Sequence, residues 1–201
     1  ARGEALYESC RTLPIYDYHC HLSPKEIWED KEFTDIADMW LGGDHYKWQL
    51  MRAAGIEEKY ITGSARGREK FRAYAEAIEF AAGNPLYHWT EMELALYFDI
   101  DTPLNSETAD EIYDKANQVI RERHYSPRRL IEMSRVAYIA TTDDPADDLP
   151  YHEKLRTIRE EFPTVVAPSF RTDNLLLIRR EGYLDYLNRF GKAAGIEITD
   201  L

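Results

Sequence analysis

The sequence predicts an α/β fold, the N-terminal part of a (β/α)8 TIM-type barrel, with three visible parallel strands and a large α-helical insertion after strand 1. Three observations predict it. Short apolar runs at 13–18, 135–140 and 164–168 read as strands, each running out into polar or turn residues. Helical patterns separate them, and strands alternating with helices are the mark of parallel β/α units. Chemistry-bearing residues follow each strand: His19 and His21 the first, Thr142 to Asp144 the second, Arg171 the third. Barrels and open α/β sheets place their sites at those strand ends. A complete barrel takes eight strands and about 250 residues. The chain has 201, so the front part of a longer barrel is the simplest account. The expected divisions are 1–22, strand 1 with its histidines; 23–134, the helical insertion; and 135–201, the second and third β/α units.

The elements follow in order. Residues 1–12 read as a helix ending before Pro14. Ser23-Pro24-Lys25-Glu26 is a capping box with proline at the first helical position. Thr34 starts a short helix that stops at Gly42-Gly43, and Asp44 caps the next, which ends at Gly55. Phe71, Ala75, Ile78 and Ala82 form a helical stripe closed by Gly83. Asn84-Pro85 opens a turn, Thr90 with Glu93 reads as a second capping box, and Thr108 with Glu111 as a third. Ser126-Pro127 begins one more helix, and others are expected at 150–161 and 180–193. Ile196 to Ile198 reads as a turn, with Thr199 or Asp200 in the position of a helix cap.

On a strand, side chains two apart share a face, so His19 and His21 point together while Cys20 points away. Two imidazoles side by side at a strand end can grip one divalent metal, with zinc the expected ion. Cys20 reads as a small buried apolar residue. Asp143 and Asp144 ahead of Pro145 read as turn and helix-cap residues. His88 and Trp89 are expected to pack within the helical region, and His124 and His152 to lie at the surface.

Composition narrows the function classes. With 44% hydrophobic and 12% aromatic residues the chain is a folded protein rather than a disordered one. A net charge of −12 argues against nucleic acid or an anionic membrane as partner. Cys10 and Cys20 give neither zinc-finger spacing nor a disulfide framework, so a cytoplasmic location is expected. No apolar run reaches transmembrane length and no signal peptide is visible. The first residue is Ala1 rather than methionine, so the true N-terminus is expected to be trimmed or to lie outside this sequence.

Five tracts carry a resemblance to a known family. They are Ile15 to Leu22, Trp40 to Trp48 (Trp-Leu-Gly-Gly-Asp-His-Tyr-Lys-Trp), Gly83 to Thr90 (Gly-Asn-Pro-Leu-Tyr-His-Trp-Thr), Thr141 to Pro145 and Pro168 to Arg171. In this order and spread they resemble the N-terminal part of the uronate (glucuronate) isomerases, a divergent branch of the amidohydrolase superfamily. The resemblance implies interconversion of D-glucuronate with D-fructuronate, and of D-galacturonate with D-tagaturonate, in hexuronate catabolism. It also implies roles: His19 and His21 as metal ligands, and His45, Tyr46 and Arg171 as contacts to the hexuronate. Tyr46 is the one candidate for a catalytic part, as an acid or hydrogen-bond donor to a sugar hydroxyl. By composition alone Arg171 would read as a surface ion pair; its planar fork also suits a carboxylate.

The family's third metal ligand and the catalytic base are expected beyond residue 201, so the chain by itself is expected to be inactive. It is further expected to form a homo-oligomer or to associate with the C-terminal part. Two rival readings stand beside this one. A hydrolase of the same superfamily would use the two histidines to activate water. A truncated module would have a structural role only.

Overall fold

The computed structural model describes residues 2–199. In chain order its elements are α1 (Arg2–Cys10), β1 (Ile15–Cys20), α2 (Pro24–Glu29), α3 (Ile36–Leu41), α4 (His45–Ala53), α5 (Arg68–Glu79), α6 (Pro85–Phe98), α7 (Ala109–Arg123), α8 (Pro127–Met133), β2 (Val136–Asp143), α9 (Pro150–Thr157), β3 (Val165–Phe170), α10 (Asp173–Leu176) and α11 (Tyr183–Ala194). A single 3-10 turn, Glu58–Tyr60, lies between α4 and α5. Two compact units result: Ala1–Lys31 together with Pro127–Leu201, and Glu32–Ser126.

The first unit holds the sheet. Its strands run parallel in the order β1-β2-β3, so the α/β class and the three strands are as the sequence predicts. Ile27, Ile131, Ile139, Leu155, Phe162 and Val166 form the buried core here, with Cys20, Trp28, Val136 and Ile158 packed against it. Cys20 thus turns into the core, and burial pushes its thiol up, with Asp17 and Asp143 acting in the same direction. Each strand runs past its predicted end: β1 reaches Cys20, β2 reaches Asp143 and β3 reaches Phe170. The ladder between neighbours carries the backbone further than the local apolar run does.

α2 and α8 fall with the sheet, so the helical unit is narrower than the 23–134 span drawn from sequence. Arg128 explains why. Its backbone N–H donates to Asp30 Oδ1 (2.9 Å), its Nε to the Ile27 carbonyl (2.8 Å) and its Nη2 to the Trp28 carbonyl (2.5 Å). One guanidinium therefore satisfies the C-terminal carbonyls of α2 and fastens that helix to the start of α8. Asp30 ends α2 in the left-handed region at φ 50°.

The second unit is helical throughout. Trp40 meets Phe71, Tyr74 and Phe98 at ring-centroid distances of 6.0–6.3 Å in its centre. Asn117 accepts the Ile36 backbone N–H at 2.8 Å in a buried contact, which opens α3. Arg68 bridges Asp110 and Asp114 to hold α5 on α7. Several caps stand where the sequence put them. Ser23 Oγ accepts from the Glu26 N–H (3.4 Å) at the start of α2, whereas Asn84, read from sequence as part of a turn, caps α6, its Oδ1 accepting the Leu86 N–H (3.0 Å). Asp44 caps α4 as expected, and Gly55 follows it with φ 82°.

Other expectations are corrected. Asp35 rather than Thr34 caps α3. Thr90 is not a cap: α6 already begins at Pro85, and Thr90 lies inside it, its hydroxyl 2.7 Å from the buried Tyr74 Oη. Thr108 stands at the N-cap position of α7 as expected, its carbonyl accepting the Ile112 N–H (3.0 Å), but its side chain does not cap the helix: Oγ1 donates to the Pro103 carbonyl (2.7 Å) instead. Ala82 is exposed beyond the end of α5, and Ala81 is the buried residue. His88 is exposed and Trp89 half exposed, so neither packs inside the helical unit. His124 lies at the surface as expected, against Glu32 (3.0 Å), but His152 is buried. Gly195, at φ 68°, ends α11, and its successor Ile196 donates to the Gly191 carbonyl (2.9 Å). Thr199 lies in the irregular stretch after α11, and Asp200 lies outside the described residues. Among the described residues no helix is long and apolar enough to cross a membrane.

Candidate active site

The parallel register brings the ends of β2 and β3 level and leaves the end of β1 two residues short of them. Cys20 pairs with Thr141 and Thr141 with Pro168, after which Thr142 pairs with Ser169 and Asp143 with Phe170. His19 lies in β1 and His21 just past its last residue Cys20, and Arg171 lies just past the end of β3, two strands away or about 10 Å across the sheet. The Thr142 hydroxyl donates to the Cys20 carbonyl (3.2 Å), which ties the end of β1 to β2.

β1 is not a regular strand at this point. Its register slips between Asp17 and Cys20, where three steps on β1 face two on β2. Such a bulge re-aims side chains and recurs beside active sites. Asp17 Oδ1 stitches it by accepting the His19 N–H at 3.2 Å. Both imidazoles are exposed, and their ring centroids stand 5.1 Å apart with the planes at 88°. The spacing suits a shared ion. Two imidazoles each bound at about 2.0–2.1 Å to one tetrahedral zinc have centroids roughly 5.2 Å apart. The donor count is short of the three or four protein ligands usual for zinc. Among the described residues no group of three or more His, Cys, Asp or Glu side chains gathers to hold a metal.

β2 ends in a polar network that the sequence reading missed. Thr141 is fully buried, and its hydroxyl donates to Asp143 Oδ2 at 2.6 Å. His152 Nε2 lies 2.8 Å from the same Thr141 oxygen and 3.4 Å from Asp143 Oδ2. With the Thr141 proton given to Asp143, Nε2 carries the imidazole proton and donates it to Thr141. Burial pushes His152 below its ordinary value, Asp143 opposes that and Arg156 adds to it, so the ring is neutral at pH 7. A signal for this existed in the sequence: His152 stands three residues before Leu155, on the buried face of α9.

Asp144 is a hub of the turn after β2. It accepts from the Ala146 N–H (2.8 Å), Asn174 Nδ2 (2.5 Å) and Tyr186 Oη (3.0 Å). Burial pushes its carboxyl up, but these hydrogen bonds outweigh it and hold the group below the usual carboxylate range. The bond also raises Tyr186, behind burial as the larger cause, to about 12. Arg171 is 42% exposed and pairs through Nε with Asp173 Oδ2 at 3.0 Å. That pair lowers Asp173.

His45 and Tyr46 belong to the helical unit and form the first turn of α4. Asp44 Oδ1 accepts the backbone N–H of both Tyr46 (2.9 Å) and Lys47 (3.1 Å). Tyr46 is 60% exposed, and the His45 ring stands 6.0 Å from those of Tyr46 and Trp48. The structure thus pairs His19 with His21 and His45 with Tyr46, and sets Arg171 on the same row of strand ends as the first pair.

Comparison with known proteins gives this geometry a family. The chain is 48% identical over 199 residues to a uronate isomerase of Geobacillus thermodenitrificans, covering 98% of this chain and 42% of the relative. It is 50% identical over 195 residues to a uronate isomerase of Streptococcus agalactiae, covering 97% and 41%. The crystal structure of uronate isomerase from Thermotoga maritima matches at a TM-score of 0.84 and 34% identity, over 95% of this chain and 42% of that one. The chain therefore spans about two-fifths of the length of the relatives it matches. A profile of the glucuronate isomerases matches residues 1–201, and with it the chain belongs to the glucuronate isomerase family.

Proposed function

We propose that the protein to which this chain belongs is an aldose–ketose isomerase of hexuronates. It interconverts D-glucuronate with D-fructuronate and D-galacturonate with D-tagaturonate in a cytoplasmic catabolic route. The carrying observation is the family match along residues 1–201. The neighbouring parallel strand ends, with two histidines at the end of β1 and an arginine after β3, support the same reading. So does the barrel architecture we assign to the whole protein, since barrels work at that face.

The isomerisation moves a proton between C2 and C1 and shifts the carbonyl to the neighbouring carbon. It needs an anchor for the sugar carboxylate and stabilisation for the negative charge that develops on oxygen. Arg171 supplies the anchor. Its Nε is engaged by Asp173, which directs a second carboxylate to the Nη1–Nη2 edge of the fork. Tyr46 Oη donates a hydrogen bond to a sugar hydroxyl, and His45 contacts the sugar beside it. His19 and His21 would hold a divalent ion, zinc by their donor chemistry, which supplies Lewis-acid polarisation of a sugar oxygen when bound. Their own work is to keep two imidazole rings at a fixed spacing on the strand end.

The test is a coupled assay of the full-length protein with D-glucuronate and D-galacturonate. Ketose must appear at the rate aldose disappears, with no change in total uronate. Release of an acid or amine from ester or amide substrates, with no ketose formed, would refute the isomerase reading.

A further inference from the structure

Lys47 is a buried cation that the chemistry above does not use. It is 7% exposed and stands in the first turn of α4, two residues after His45 and next to Tyr46. Its Nζ lies 3.1 Å from Asp44 Oδ2, 3.9 Å from Glu93 Oε2 and 5.5 Å from the centre of the Trp40 ring. Burying an ammonium is unfavourable unless it is paired. Here two carboxylates from different helices and an aromatic face receive it.

The arrangement acts on Asp44. One oxygen of that carboxylate holds the N–H groups of Tyr46 and Lys47, and the other is held by the Lys47 ammonium. The carboxylate is fixed at both ends, and with it the direction of the first turn. Trp48 secures the same turn from the far side, its Nε1 donating to the Leu41 carbonyl at 2.8 Å. His45 and Tyr46 project from this turn and are exposed. For stability alone, an apolar side chain of similar volume would often serve as well as a buried ion pair. What the charge adds is one geometry for the cap.

We propose that Lys47, braced by Glu93, is the positioning residue for His45 and Tyr46: it locks the Asp44 cap and thereby sets where those two side chains meet the sugar. The proposal rests on the reading of His45 and Tyr46 as hexuronate contacts.

Two measurements on the full-length protein test it. The first is amide hydrogen exchange at Tyr46 and Lys47 in the wild type and in Lys47→Met, well below the melting temperature of both. Loss of the clamp speeds exchange at these two positions about tenfold or more. The second is steady-state isomerisation of D-glucuronate. Lys47→Met lowers kcat/KM by about 10- to 100-fold, as expected for misplaced substrate contacts, and Lys47→Arg recovers part of it. In a background already carrying His45→Ala and Tyr46→Phe, the further loss from Lys47→Met falls below about threefold, because the imidazole and the phenol hydroxyl it positions are gone.

Unchanged exchange in Lys47→Met overturns the proposal, whatever the kinetics. So does a loss that stays the same size in the doubly substituted background, which would make Lys47 a structural residue only. A wild-type protein inert toward uronates would refute the isomerase reading instead, and the exchange rates would still decide whether Lys47 orders this turn.

Discussion

Replacing His152 by alanine removes the centre of the network at the end of β2, and the structure sets the size of the effect. The imidazole is 3% exposed and gives one hydrogen bond to a buried hydroxyl, at 2.8 Å. That bond contributes about 1 kcal/mol net. Deleting a buried ring of this size leaves a cavity worth roughly 2–3 kcal/mol more. Thr141 and Asp143 keep each other as partners, so no further desolvation cost arises. The expected loss is about 3–4 kcal/mol at pH 7.5. It must depend on pH with a definite sign. Burial holds His152 below its ordinary value of 6.5 in the folded protein. The unfolded chain therefore takes up the proton first. Stability that relies on the neutral ring is complete above pH 6.5 and is lost as the pH falls from there toward the lower, folded value. The alanine variant has no such group. Urea unfolding at pH 7.5 and 5.5, with the slope checked for constancy, should show the gap between wild type and variant narrowing on acidification. A gap that stays constant or widens would show that the ring is not held neutral by burial.

Further outcomes follow from other contacts. Arg171→Met should abolish most turnover of glucuronate in the full-length protein, and Arg171→Lys should restore a minor part, because lysine keeps the charge and loses the fork; equal rates for arginine and lysine would exclude a bidentate contact. Substituting His19 or His21 by alanine should lower retention of a divalent ion by more than the roughly 10–100-fold that changes to a ligand's hydrogen-bond partners cost, as read by elemental analysis after dialysis. Arg128→Met strands the Ile27 and Trp28 carbonyls and should lower stability by about 2–3 kcal/mol, visible as a fall in melting temperature.

The legible parts of the chain were those decided locally. Asp44 and Ser23-Pro24 announce helix starts because a short polar side chain, or a proline that needs no N–H, acts on its own turn. His19 and His21 are legible for the same reason, since neighbours two apart on a strand meet whatever the rest of the fold does. What failed was decided at a distance. Thr90 has the sequence of a cap, yet Pro85 had already started the helix and the Tyr74 hydroxyl claims the threonine. Thr108 is diverted by the Pro103 carbonyl. His152 reads as a surface residue until β2 places Thr141 and Asp143 against it. The bulge in β1 leaves no local mark at all, since it is a mismatch between two strands more than a hundred residues apart.

If this acidic chain takes part in binding an acidic sugar, as proposed, it must do so at short range. The chain carries a net charge of −12, so its far field repels a uronate and gives no steering. Salt screens that repulsion beyond about 8 Å at physiological ionic strength, which leaves recognition to the charges in direct contact. Arg171 could meet that requirement with Asp173 held 3.0 Å from its Nε. Asp173 occupies Nε without covering the whole guanidinium, so the pair orients the fork. Lys47, by contrast, is buried between Asp44 and Glu93. Its charge is spent inside the protein and cannot serve a ligand, although composition would count it with Arg171 as one more cation. The two cations thus stand in different settings: Arg171 is exposed beside Asp173 and open to the proposed substrate, and Lys47 is buried beside the turn from which His45 and Tyr46 project.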